Sequence, residues 1–536
     1  MKHDLPPLID YAVPKLEVWR IGRYSASLTG VSAPRTYSFG ESGTDRLAMA
    51  PRIGEARRVS ARGAYATAGV TAVALVLAAA VAAAVALTQV SSDPYSSPTP
   101  GQHHAEVEPD TFAAGSTVVS AFQTGRFFDG GATDVGFATS TDSGATWTHG
   151  PLPGITKAEG GAFDRATDPS VAYDAKHGVW LIDTLTLNGT QPQEVVAIRS
   201  TDGGHTWGNV SVVGGGVAPD KNWIVCDDTA ASPFYGHCYA EWDDNGRGNL
   251  IQMSTSTDGG LTWGPARSTA DSATGIGGQP LVRSDGQVVV PIDNAFEGSV
   301  LYFTSADGGA TWSATHLVAN ISDHTVAAGI RTEPLPSAEI DKKNKVYIVW
   351  QDCRFRTSCA ANDVVMARIT NRFRTSKVVR IPIDAPTSGI DHFTPAIAVD
   401  RTTAGKTAHL GIAYYFFPVA NCGSSCALHV GYVSSTDGGS TWSAASDLAG
   451  PMDPVWLANT NQGRMFGDYI SASFAGGTVH PVFAVANAPN GSVFDEAMYT
   501  ATGGLPAAGG KASAVMGPIR STKSDHPALS TLATSH

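Results

Sequence analysis

The chain has 536 residues, a net charge of −12, 42% hydrophobic residues and 16% charged residues. It is long enough for a large core and too apolar for a chain disordered throughout. Its acidic balance excludes nucleic acid as the natural partner.

Residues 1–63 hold ten Lys/Arg and six Asp/Glu with no sustained apolar period, which predicts a disordered leader and leaves −16 on the rest. Residues 64–87, AYATAGVTAVALVLAAAVAAAVAL, carry no charge and match the length of a membrane-spanning helix. Arg57, Arg58 and Arg62 precede that stretch, so the positive-inside rule puts the leader in the cytoplasm and everything after the span outside. The expected location is the cell membrane, single-pass with an extracellular body; the alternative is secretion after cleavage near the small residues ending the span. Residues 88–104, with Asp93-Pro94-Tyr95, read as an exposed linker, 105–502 as the folded body, and the Ala-, Gly-, Ser- and Thr-rich 503–536 as a flexible tail.

All six cysteines follow the span, as Cys226/Cys238, Cys353/Cys359 and Cys422/Cys426. Six cysteines allow fifteen pairings. Neighbour pairing is the expectation, since each pair staples one local loop in an oxidising compartment.

One phrase, Ser-x-Asp-x-Gly-x-Thr-Trp, occurs five times: Ser140–Trp147, Ser200–Trp207, Ser256–Trp263, Ser305–Trp312 and Ser435–Trp442. Its Asp accepts bonds from backbone N–H groups just ahead, its Gly supplies a positive φ, and its Thr starts a return strand. Apolar runs such as Val195–Ile198 precede the copies, so each reads as a hairpin between antiparallel strands. Recurrence every several tens of residues signals a repeat architecture.

These copies resemble the Asp box (BNR repeat) of the sialidase-like β-propellers. The resemblance implies an all-β propeller of four-stranded antiparallel blades, with the box as a structural turn remote from any active site. A fainter repeat of strand openings begins at Glu108, Asp168, Asp220, Gln279, Glu333, Thr394 and Asp468, which predicts seven blades; six remain if the first or last unit is an irregular closing piece. The last unit has about three strands, and a strand near residues 102–107 is expected to complete it. The fifth unit has a decayed box around Thr370–Phe373.

Those openings should converge at one end of a central channel, near several arginines. Exo-sialidases hold a carboxylate with three arginines and use a Tyr nucleophile polarised by Glu, with an Asp acid/base. By position in the repeat, the assignment is Asp168 as acid/base, Tyr469 as nucleophile, Glu333 as its partner, and Arg126, Arg331 and Arg464 as the clamp with Arg354 in reserve. The family's Arg-Ile-Pro on the first inner strand is absent. Asp227–Asp228 and Asp243–Gly246 offer oxygen ligands for calcium but read as polar turns, so neither metal nor cofactor is expected. The expected function is a sialidase-like glycoside hydrolase at the cell surface, a monomer acting on glycans or glycoconjugates. The alternative is a non-catalytic propeller that binds glycans or protein.

Overall fold

A computed structural model describes residues 85–95 and 101–510, with the backbone of Ala512–Ser513 and Val515–Met516. The leader and residues 64–84 of the expected span lie outside the described residues. Among the described residues no helix is long and apolar enough to cross a membrane.

The described chain is all-β and propeller-like, built of consecutive antiparallel strand sets. The first set runs Gln102–Ala114, Thr117–Arg126, Ala132–Ser140 and Thr148–Pro151; the second runs Arg165–Asp174, Val179–Asn188, Gln191–Ser200 and Gly208–Gly215. Then come Pro219–Cys226, Cys238–Asp244 and Leu250–Ser256, followed by a set centred on Val288–Asn294 and Ser299–Ser305. Ser337–Ile340, Val346–Asp352 and Asp363–Ile369 form the next set, with Val379–Arg380 at its edge. His392–Val399, Leu410–Phe416, Leu428–Ser435 and Ser446–Met452 precede the last, Ser471–Ala475, Thr478–Ala486 and Glu496–Ala501.

Apolar side chains alternate along these strands and meet between neighbouring sets. Trp180, Ile182 and Ile198 of the second set pack with Val119 and Val135 of the first, and Tyr347 and Val349 pack with Ile397 and Ile412. The ring is stitched along its innermost strands. Asp110 accepts from Val171 N at 2.8 Å, Ser170 from Ile224 N at 3.2 Å, and Ser337 from Ile397 N at 3.2 Å.

All five boxes fold as their chemistry dictates. In the second, Asp202 accepts from Thr206 N at 2.9 Å and from its hydroxyl at 2.6 Å, while Ser200 accepts from Gly204 N at 2.9 Å. Gly204 has φ 88° and lies against the first set, where an added Cβ would sit 2.9 Å from Thr139 and Val119 side-chain atoms. Gly144 of the first box meets His480 of the last set, which closes the ring. Thr370–Phe373 still turns, through Phe373 N to Thr370 O, but lacks the carboxylate.

The box carboxylates are held below their ordinary pKa. Asp142 falls to about 2, chiefly through its bond from the Thr146 hydroxyl, and Asp202 is lowered in the same way. A depressed folded value stabilises above the unfolded pKa and is lost as pH falls through the folded one. Thermal unfolding followed from pH 5 to 2 is therefore expected to show a falling melting temperature below about pH 4. A combined Asp→Asn substitution in all five boxes should flatten that fall.

The three disulfides pair as expected, Cys226–Cys238, Cys353–Cys359 and Cys422–Cys426. Ring completion goes beyond the expectation: Ala105 pairs in parallel with Glu496, as the strand near residues 102–107 was expected to do. Gln102–Ala114 is the inner strand of the first set, and the last set gains its fourth strand from Leu87–Gln89, paired to Glu496–Ala501. The stretch expected as an exposed linker from residue 88 thus begins as a paired strand, with Val90 and Ser91 buried. The physical reason is the unpaired edge of Glu496–Ala501, which an apolar segment covers better than water. In the stretch read as a tail, Leu505–Pro506 pairs with Thr478–Val479, and Ala512–Ser513 with Thr441–Trp442.

Candidate functional site

Four innermost strands carry a β-bulge at the position where the sequence repeat opens. The register skips between Val107 and Asp110, Thr167 and Ser170, Asp220 and Trp223, and Phe393 and Ala396. Left-handed residues occupy the skips: Glu108 (φ 57°), Asp168 (φ 51°), Lys221 (φ 37°) and Thr394 (φ 44°). Such backbone is costly for residues with a Cβ and re-aims their side chains.

Glu108, Asp168, Asp220, Lys221, Glu333 and Asp468 line one small chamber with Arg126 and Arg331. Below it lies a second space lined by Gln279, Thr394, Trp223 and Tyr469; Lys221 and Asp468 border both. Arg331 donates to Asp468, and both are buried. Arg126 donates to Gly131 O at 2.7 Å and lies against Met465 Sδ. Asp468 N donates to Glu108 Oε1 at 3.2 Å, and Gln123 donates to Glu108 Oε2.

Burial, reinforced by the charges of Asp168 and Asp468, drives the Glu108 carboxyl well above its usual range against the pull of Lys221 and Arg126. Burial also pushes Asp468 upward, but the Arg331 charge and hydrogen bond, with Arg126 and Glu108, hold it below the usual value. The two carboxyls are thus pushed apart in proton affinity, Glu108 upward and Asp468 downward. Burial, then the like charge of Arg331, lowers Arg126 to about 10.

Of the residues assigned from sequence, Asp168, Glu333, Arg126 and Arg331 come together. Tyr469 borders the lower space; its hydroxyl donates to Pro169 O at 3.0 Å, and burial followed by nearby carboxylates raises its pKa. Arg464 stays outside the chamber lining, its guanidinium donating to Leu457 O at 3.0 Å and its backbone O accepting from Arg331 N at 2.8 Å. Arg354 is held on its own turn by Asp352 and Asn320 O. Glu108, Asp220 and Asp468 were legible as strand openings but not as site groups. Lys221 was missed; its signal is a charged residue beside the opening Asp220, where the bulge falls.

Asp227 accepts from Thr229 N at 3.0 Å, and Asp244 from Val217 N and Ala218 N, so these acids cap turns. Asp363, Asp384 and His392 bring ligand atoms within 4.8 Å of one another, but Arg356 and Arg380 already pair both carboxylates.

No protein-family model matches the chain. A sialidase of Micromonospora viridifaciens is 29% identical over 166 residues, 25% of this chain and 25% of that protein. A xyloglucanase of a Paenibacillus species is 29% identical over 188 residues, 33% of this chain and 18% of that protein. The chain therefore spans a quarter or less of the length of these relatives. The NanB sialidase of Streptococcus pneumoniae superposes with a TM-score of 0.41 at 14% identity, covering 65% of this chain and 70% of that one. In its repeated box and its sequence alignment to the Micromonospora sialidase the chain resembles the sialidase-like superfamily.

Proposed function

We propose that the chain is a glycan-acting glycoside hydrolase whose reaction takes place in the chamber of Glu108, Asp168, Asp468, Arg126 and Arg331. The reading is carried by the contact between Glu108 and Asp468, whose proton affinities are driven in opposite directions. Two carboxyl groups pushed apart in proton affinity supply a proton donor and a proton acceptor to a sugar held in the chamber. The curated relatives named as sialidase and xyloglucanase support glycans as the substrate class.

The narrower exo-sialidase reading draws support from Arg126 and Arg331 beside Asp168 and Glu333. It requires a third cation, since Arg464 and Arg354 bond elsewhere. We read the antiparallel sets as seven blades, the last completed by Leu87–Gln89. The body works as a monomer outside the cytoplasm at the cell surface, a location supported by three disulfides and by the charge-free stretch 64–87.

The test is release of 4-methylumbelliferone by the full chain from its sialic-acid, glucuronide, glucoside, galactoside and xyloside conjugates. Turnover of at least one, lost in Glu108→Gln, is the expected result. A folded chain that turns over none of them is a binding module rather than a hydrolase of these sugars.

A further inference from the structure

At the floor of the chamber, Lys221 stands on the inner-strand bulge between Asp220 and Trp223 with φ 37°. It is 5% exposed and borders both the chamber and the space beneath it. Its ammonium lies 3.5 Å from the centre of the Tyr469 ring and 4.9 Å from that of Trp223. The Nζ makes no hydrogen bond among the described residues, although an ammonium carries three donors. A buried charge left in this state is expensive unless something else meets it.

Among the described residues no carboxylate oxygen accepts a hydrogen bond from the Lys221 ammonium. Glu108, Asp183 and Glu241 all feel the Lys221 charge. Burial holds Glu241 up at about 8 and drives the other two well above their usual range, which weakens all three as counter-anions for Lys221. Asp468 is taken by Arg331, and Asp220 accepts from the backbone N of Lys221 at 2.9 Å. The aromatic faces offset part of the cost but leave the N–H groups unused.

We infer that Lys221 is the anion-binding group of this chamber, taking a carboxylate or sulfate carried by the sugar that occupies it. The inference rests on the chamber being a glycan site, and it gives that site the third cation, beside Arg126 and Arg331. It makes Lys221 a determinant of specificity for acidic over neutral sugars and assigns it no bond-breaking role.

The experiment is binding, measured by calorimetry on the full chain without turnover. The probes are N-acetylneuraminic acid, glucuronic acid and N-acetylglucosamine 6-sulfate, with galactose and N-acetylglucosamine as neutral controls. At least one acidic sugar should bind, and Lys221→Met should weaken it by about 10- to 100-fold, as expected for a charged hydrogen bond. Lys221→Arg should retain most of the affinity, and any neutral-sugar binding should be unchanged. The acidic probe that binds distinguishes carboxylate from sulfate. Should Lys221→Met fail to fold, the Nζ resonance of Lys221 in the unsubstituted chain must still move when the acidic sugar is added. Equal binding to Lys221→Met, equal loss for acidic and neutral sugars, or no acidic sugar bound by the unsubstituted chain overturns the inference. Acidic-sugar binding without turnover would sink the hydrolase reading alone, whereas turnover of neutral conjugates with no acidic sugar bound would sink the Lys221 inference alone.

Discussion

Asp468→Asn is expected to lower kcat/KM on a responsive glycoside by about 10²- to 10⁴-fold, the usual span for a lost acid–base group. The Asp468 carboxyl is held below its usual range by Arg331, and the Asp468 backbone N donates to Glu108. The same change leaves Arg331 buried without its closest counter-charge, which costs about 3–5 kcal/mol of stability for a typical broken buried pair. The two effects separate when turnover is measured well below the melting temperature of the variant. In the unsubstituted chain, activity should rise as Asp468 ionises below the usual carboxylate range and fall only above that range, as Glu108 gives up its proton. Arg331→Met should move the acidic limb upward, because burial then acts on Asp468 with less opposition.

The second large effect is structural. A chain starting at residue 101 is expected to lose cooperative stability compared with one starting at residue 85. Val90 is fully buried, and its removal forfeits about 1.5–3 kcal/mol. Val90 N to Met498 O, Met498 N to the Ser91 hydroxyl and the Tyr95 hydroxyl to Asp134 are lost as well, at about 1 kcal/mol each. The shorter chain also leaves Met498–Ala501 without its outer partner, so it should associate on warming. Burial beneath this segment raises Glu106 to about 8. A raised folded value gives stability that is complete below the unfolded pKa and lost as pH climbs through the folded one. The longer chain should therefore weaken between about pH 4.5 and 8, and the shorter one less so, as thermal melts across that range will report.

The parts of this fold that were readable are those whose chemistry is local. Ser200, Asp202, Gly204 and Thr206 satisfy one another within a single turn, so their spacing alone announces the hairpin. The neighbouring cysteines also had only a short loop to close. Glu108, Asp168 and Asp468 line one chamber, and the signal for that was that each opens a repeat unit. The closing strand Leu87–Gln89 was not readable, since it ends an apolar run whose composition suits a helix and whose partner lies some 400 residues away. Arg464 and Arg354 failed to reach the chamber because nearer carbonyl and carboxylate oxygens claim their guanidinium groups. Lys221 stayed hidden because only the bulge decides that it points to the axis rather than into the sheet.

The central claim is that a sugar occupies the space between Arg331, Glu108 and Asp468. A crystal structure of the Asp468→Asn chain soaked with the oligosaccharide form of its best conjugate tests this directly. The account predicts density for a sugar ring in that chamber, with its glycosidic oxygen within hydrogen-bonding reach of Glu108. Sugar density confined to the rim or to the Asp-box face, with the chamber holding none, would contradict it.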